Sequence, residues 1–329
     1  MKERYLITGG AGFVGSHVVA DLLARNADCV VLDDLSTGHA EAVLPGARLI
    51  VGDLSDTGLV DRVLADGPWA AVFHFASLSI VGDSMREPLR YLNENVGCGV
   101  NLIEACIRHG VKRFVLSSTA ALFGNDATGP IGEDSAIAPG SPYGDSKWLL
   151  ERALQWADTA HGLRSACLRY FNAAGCDPAG RLGEDHEPET HLIPLVVDAA
   201  LGRRPEIAVF GRDYPTADGT CIRDYVHVSD LAEAHIRALA PLERASVRYN
   251  LGTGRGHSVL EIVRAVERIA GKKIAVRDAP RRPGDPASLV ASSSRVMRET
   301  GWSPRFSSLE QLIETTLNWR AAHPRGFKS

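Results

Sequence analysis

Gly9-x-x-Gly12-x-x-Gly15 stands between an apolar run, Tyr5–Thr8, and a helical pattern, Val14–Arg25. No other feature restricts the possible folds as strongly. Glycines at a strand-to-helix turn allow a tight backbone and the close approach of a pyrophosphate. The helix start beyond them offers free N–H groups and the positive end of a dipole. The spacing departs from G-x-G-x-x-G, so the motif alone also fits a glycine-rich turn with no ligand.

The rest of the first half extends this beginning. Strand-like runs at Cys29–Leu32, Arg48–Val51, Ala71–Phe75, Phe114–Ser117 and Ala166–Tyr170 alternate with helical stretches such as Leu89–His109. That alternation predicts an α/β fold: a doubly wound parallel sheet of the Rossmann type, covered by helices on both faces. After Phe171-Asn172 the texture changes. Residues 173–190 are rich in Gly, Pro, Asp and Glu and read as loop. Helices are expected over Ile193–Gly202, Asp230–Ala240, Ser258–Ala270 and Leu309–Arg320, and a strand over Ala208–Phe210. The expected division is a first domain over 1–172, rejoined by roughly 225–252. A smaller α/β domain over 173–224 and 253–329 interleaves with it.

Composition excludes several functions. The net charge of −4 and the absence of a basic block argue against nucleic acid as the main partner. The six cysteines are scattered with no C-x-x-C spacing, so neither a metal site nor a redox pair is expected from them. No apolar run approaches the roughly 20 residues that span a bilayer. With a strand beginning almost at Met1, no secretory leader is expected, and the protein is read as cytoplasmic.

Four further positions turn a nucleotide fold into an expected chemistry. Asp33 ends the second strand, 18 residues after Gly15, where a carboxylate accepts hydrogen bonds from ribose hydroxyls. The same charge repels a 2′-phosphate, so NAD is expected over NADP. Tyr143 and Lys147 are spaced i,i+4 and share one helix face, with Pro142 near the helix start. A free Tyr, with a pKa of about 10, is a poor base at neutral pH. A neighbouring ammonium and the positive nicotinamide ring favour its phenolate. Thr119 ends the fifth strand, where its hydroxyl can bond the same substrate oxygen. Tyr-x-x-x-Lys taken alone is more often structural; in this order with the glycine loop, Asp33 and Thr119, the catalytic reading prevails. It predicts hydride transfer between a sugar-like alcohol and a bound nicotinamide.

The segments TGGAGFVGSH (8–17), HFAS (74–77), NENV (93–96), SPYGDSK (141–147), LRYFNAAG (168–175), YPTADGTCIRDYVHV (214–228), YNLGTG (249–254) and PRRPGDP (280–286) carry a resemblance over essentially the whole chain. The chain resembles the extended short-chain dehydrogenase/reductase superfamily, and within it the UDP-glucose 4-epimerase family. The first and fourth segments are shared across the superfamily. The sixth and eighth are far more specific to the epimerase branch. The resemblance implies an NAD-dependent isomerase acting on a UDP-sugar, with Thr119, Tyr143 and Lys147 as catalytic residues. It implies NAD contacts from the loop of Gly9, Gly12, Phe13, Val14 and Gly15. Further NAD contacts are implied for Asp33, Asp53, Leu54, Phe75, Asn95, Tyr143, Lys147 and Tyr170. An alternative for Asp53 is a helix N-cap. The UDP-sugar would meet Asn172, His191, Leu192, Arg223, Arg282 and Asp285. Arg223 and Arg282 suit a diphosphate, since guanidinium forks match phosphate oxygens; the alternative is ion pairing with Asp224 and Asp285. Phe210 is expected either to line the uridine pocket or to pack in the core.

Related dehydratases and decarboxylases place acids directly after the Thr, whereas here the sequence runs Thr119-Ala120-Ala121. An oxidised 4-keto sugar would then have one productive fate, which is to take its hydride back. The expected reaction is interconversion of UDP-galactose and UDP-glucose. Other UDP-sugars, namely UDP-GlcNAc/GalNAc, pentoses or uronates, stand as the alternative, and a net dehydrogenase or a non-catalytic binding protein as weaker ones. By the same resemblance Leu289 falls where family members limit sugar size, and Leu is smaller than the aromatic that restricts a site to plain hexoses. Family members are commonly dimers, so a homodimer is expected.

Overall fold

The computed structural model describes residues 2–124, 129–282 and 285–328; Pro283 and Gly284, inside the 280–286 segment, lie outside the described residues. In its first half it has strands β1 (Arg4–Thr8), β2 (Asp28–Asp33), β3 (Ala47–Val51), β4 (Ala71–His74), β5 (Arg113–Thr119) and β6 (Arg164–Tyr170). Helices α1 (Phe13–Ala24), α2 (Thr57–Ala65), α3 (Val81–Arg86), α4 (Pro88–Tyr91), α5 (Cys98–Arg108) and α6 (Pro142–His161) lie between them. The stretch expected as one helix over 89–109 is α4 and α5 joined through a π-helical segment, Leu92–Gly97. Asp53 lies two residues beyond the end of β3.

The second half adds β7 (Asn172–Ala174), β8 (Ile207–Phe210), β9 (Ile222–His227), β10 (Val247–Leu251), β11 (Gly256–Ser258), β12 (Val276–Ala279) and β13 (Ser288–Leu289). Its helices are α7 (Leu192–Ala200), α8 (Val228–Arg237), α9 (Val259–Ala270), α10 (Ser294–Thr300) and α11 (Leu309–Ala322). Reading by composition missed β7, β9, β10, β11, β12 and β13. They are short and lie among polar residues, so no two-residue alternation marks them.

Seven strands form one parallel sheet in the order β10-β6-β5-β4-β1-β2-β3. Side chains alternate across it. Tyr5 and Ile7 face a core with Val18, Leu22, Leu231 and Trp302, while Leu6 faces the opposite core with Leu64, Leu102, Leu150 and Leu154. Burial on both faces is why β1 and β2 read as unbroken apolar runs. Each fully buried Leu or Phe contributes about 1.5–3 kcal/mol, and these layers hold the sheet. A third core gathers Ile193, Val197, Ile262, Val266, Leu312 and Ile313 from α7, α9 and α11. Beside it β9 pairs with β7, β11 and β13, and β12 pairs with β8. The strand order reverses between β1 and β4, which places a crevice at the carboxyl ends of those strands.

Candidate active site

The glycine loop shows why each glycine is needed. Gly9 has φ of +72°, and a Cβ there would lie 2.3 Å from the Ala76 amide nitrogen. A Cβ on Gly15 would lie 2.3 Å from the Gly9 carbonyl oxygen, so α1 starts pressed against β1. Gly12 occupies the N-cap of α1 and supplies no side-chain hydrogen bond. The first-turn amides, including those of Phe13 and Val14, therefore face an open anion site. At the end of β2, Asp33 accepts the Ala11 and Leu35 amides, each at 2.9 Å. Burial pushes its carboxyl up and those two donors oppose the rise. This uncapped helix start and carboxylate fit the pyrophosphate and ribose of a dinucleotide.

Asp53 accepts the Ser55 amide at 2.7 Å in a tight turn. The N-cap of α2 is Asp56, so the helix-cap alternative for Asp53 is ruled out. Leu54 is buried against the core, and Phe75 packs on His235 with centroids 5.0 Å apart.

Local structure sets the catalytic group. Ser141 caps α6 by accepting the Gly144 amide at 3.2 Å, with Pro142 in the first turn. A Cβ on Gly144 would lie 2.3 Å from the Ala121 carbonyl oxygen. The first turn of α6 thus sits directly on the chain leaving β5, and this contact brings Tyr143 to Thr119. Thr119 accepts the Ala121 amide at 3.1 Å, and its hydroxyl favours the ionised form of the Tyr143 phenol. Burial pushes the phenol up, Tyr170 adds to the rise, and the Thr119 bond opposes it. Lys147 is 1% exposed and forms no ion pair among the described residues. Its burial lowers the ammonium from 10.5 to about 7. Within the chain itself, burial drives both groups toward their neutral forms; the expected lowering of Tyr143 combines the ammonium with the positive nicotinamide ring.

Lys147 Nζ donates to Ser77 Oγ at 2.6 Å, a partner that sequence reading did not find. Asn95 holds that loop, accepting the Leu78 amide at 2.8 Å and donating to its carbonyl at 3.0 Å. Its amide also donates to Ser146 Oγ at 2.9 Å, tying the π-helical segment to α6. Asn95 is thus turned inward to support Lys147. The Tyr170 hydroxyl bonds Ser117 at 2.6 Å. A second missed group is Glu151, four residues beyond Lys147. It accepts Ser118 Oγ at 2.7 Å and pairs with Arg169 Nη2 at 2.6 Å, both residues buried. The i,i+4,i+8 spacing of Tyr143, Lys147 and Glu151 was the signal available in the sequence.

Across the crevice, Arg223 pairs with Asp285, not with Asp224. Asp224 is buried and accepts the Thr253, Gly254 and Ala291 amides at 2.8, 3.0 and 3.1 Å. The Arg282 guanidinium lies over the Phe210 ring, 4.2 Å from its centroid. Asn172 donates to the Asp224 carbonyl at 2.9 Å. Leu192 begins α7, and His191 precedes it, held by Glu184. Leu289 packs with Ala120, Phe123 and Ile131, one residue from Thr119 in sequence terms at Ala120. His227, by contrast, is a structural histidine: Nδ1 accepts the Ser229 amide at 3.1 Å.

Residues 5–252 match the family model described as the NAD dependent epimerase/dehydratase family. A UDP-glucose 4-epimerase from Lacticaseibacillus casei is 46% identical, covering 98% of each chain. A solved crystal structure of a UDP-glucose 4-epimerase superposes with TM-score 0.96 at 45% identity, covering 99% of this chain and 100% of that one. Another, from Brucella ovis in complex with NAD, superposes with TM-score 0.93 at 41% identity, covering 96% and 98%.

Proposed function

The chain belongs to the NAD dependent epimerase/dehydratase family, and from that membership we infer that it interconverts UDP-galactose and UDP-glucose through a 4-keto sugar. The observation that carries this reading is the Thr119–Tyr143–Lys147 group with no free acid beside it among the described residues. Ala120 and Ala121 follow Thr119, and the buried carboxylate nearest in the network, Glu151, is engaged by Ser118 and Arg169. A dehydratase needs an acid to protonate a leaving hydroxyl, and among the described residues no side chain is placed for that role.

Each residue then has a task. The Tyr143 phenolate removes the sugar 4-hydroxyl proton and later returns it. Thr119 bonds the phenol and lines the same substrate oxygen. Lys147, without a carboxylate partner, is free to stabilise negative charge on Tyr143. The chemistry that bound NAD supplies is reversible storage of the C4 hydride. The first turn of α1 and Asp33 hold that dinucleotide, with Asp53, Leu54, Phe75 and Tyr170 around it. Arg223, Arg282, Asp285, Asn172, Leu192 and Phe210 hold the UDP. Anchoring far from C4 lets the keto sugar turn while it stays captive. Leu289, packed against Ala120, leaves more room beside Thr119 than an aromatic would, which favours some acceptance of N-acetylhexosamines.

We also propose a cytoplasmic homodimer. Leu89 on α4 and Trp156 on α6 are 77% and 64% exposed, and Met85 and Leu149 are exposed as well. Among the described residues no helix is long and apolar enough to cross a membrane. The deciding experiment is incubation of the purified chain with UDP-galactose and no added NAD. UDP-glucose rising to a fixed ratio without net NADH supports the reading; no conversion even after NAD is added overturns it.

A further inference from the structure

We propose that Glu184, His186, Glu189 and His191 form a binding site for a divalent transition-metal ion of the zinc class. All four lie in the loop between β7 and α7, and their ligand atoms are within 4.8 Å of one another. Glu184 Oε1 lies 3.5 Å from His186 Nδ1 and contacts His191 Nδ1. Glu189 Oε1 lies 3.7 Å from His186 Nδ1 and 3.9 Å from His191 Nδ1. Zinc bonds of about 2.0–2.1 Å to nitrogen and oxygen give tetrahedral edges of about 3.3 Å, so an ion would replace the direct Glu184–His191 hydrogen bond, opening that contact, while the other three edges close slightly. Two imidazoles and two carboxylates are a donor set that suits zinc-like ions. The argument against a metal from cysteine spacing does not reach this cluster.

An independent observation points the same way. Glu184 is 1% exposed, and its Oε2 is buried with no hydrogen-bond partner. Glu189 Oε2 is also buried without a hydrogen bond, but Arg320 Nη1 forms a loose ion pair with it at 3.8 Å, so the uncompensated oxygen is that of Glu184. Buried carboxylate oxygens without donors are costly unless a cation satisfies them. The Thr190 and His191 amides, at 2.8 and 2.9 Å, fix the other Glu189 oxygen in place. His186 and His191 remain partly exposed, which gives an ion a route in.

The site would tie two functional elements together. His186 packs edge-on against Phe13 of the glycine loop, centroids 6.2 Å apart. His191 immediately precedes α7. An ion held here fastens the loop leading to Leu192 against the start of α1.

Two carboxylates facing two imidazoles are neutralised either by two protons or by one divalent ion, and the test separates these. The full chain is equilibrated with Zn2+ or Co2+, freed of excess, and assayed for bound metal, melting temperature and Co2+ visible spectrum. The expected result is one ion per chain, tetrahedral Co2+ bands and a raised melting temperature. In His186→Gln and in Glu189→Gln the affinity should fall by at least the ~10–100-fold that loss of a mere supporting residue costs. Glu187→Gln, a neighbouring carboxylate outside the cluster, should bind as the parent does. Substoichiometric metal, or binding unchanged in both cluster variants, would show that protons alone fill the site and overturn the proposal. Two variants guard against one failing to fold, and none of the readouts depends on epimerase activity.

Discussion

The ammonium of Lys147 reaches the hydroxyl of Ser77 at 2.6 Å across the mouth of the sheet. A residue on α6 is thereby fixed to the loop after β4, and Asn95 holds that loop from a third element. Lys147 is positioned from both sides, yet among the described residues nothing with a full negative charge meets it. Its charge is left for Tyr143.

Lys147 should leave a signature in stability against pH. Its ordinary value of 10.5 falls to about 7 in the fold. Between those values the unfolded chain holds a proton that the folded chain lacks, so this group makes stability rise with pH across that window. Below about 7 the folded chain carries a buried ammonium, and the gain is absent. Urea melts of Lys147→Met should show a shallower rise between pH ~7 and ~10 than the parent, together with a large loss of turnover. Identical slopes would mean that Lys147 stays charged in the fold.

Glu151 and Arg169 form a fully buried pair behind the catalytic face. Glu151→Gln should destabilise by about 3–5 kcal/mol, because a buried guanidinium loses its counter-charge. The double variant Glu151→Leu/Arg169→Met should recover much of that loss. Denaturant titration of the three chains decides it; a single variant as stable as the parent would refute the account.

Gly144→Ala tests the contact that brings Tyr143 to Thr119. The new Cβ would lie 2.3 Å from the Ala121 oxygen, which is backbone and cannot swing aside. The start of α6 must move, and a misplacement of ~1 Å at a reacting group costs on the order of 100-fold in rate. Turnover should drop far more than melting temperature does. Full activity in Gly144→Ala would count against this geometry.

Leu289 lies in the cluster beside Ala120. Leu289→Tyr should cut kcat/KM for UDP-GlcNAc by ~10-fold or more relative to UDP-galactose, the scale of a pocket-size effect. Leu289→Ala should shift the ratio the other way. A ratio unmoved by either change removes Leu289 from the gate.

Trp156 is 64% exposed on α6, and Leu89 is 77% exposed on α4. If these faces pair between two copies, Trp156→Glu should convert the dimer to monomer in light scattering at micromolar concentration. A parent chain that is already monomeric defeats the interface.

The sequence alone determined the parallel sheet, the dinucleotide loop and the order of the catalytic residues. Each is a local matter: apolar runs of strand length, glycines at one turn, and an i,i+4 pair whose side chains share a face because a helix has 3.6 residues per turn. It did not reveal β9, β11 or β13, whose pairing is long-range and whose composition is polar. Nor did it reveal that Ser77 and Asn95 converge on Lys147, that Arg223 takes Asp285 rather than its neighbour Asp224, or that Phe210 lies under Arg282. These depend on which strand ends the folded sheet brings together, and adjacency in the chain carries no record of that. The direction of the Tyr143 and Lys147 shifts was likewise decided by the tertiary structure, because burial is a property of the packed chain and is the largest cause of both shifts.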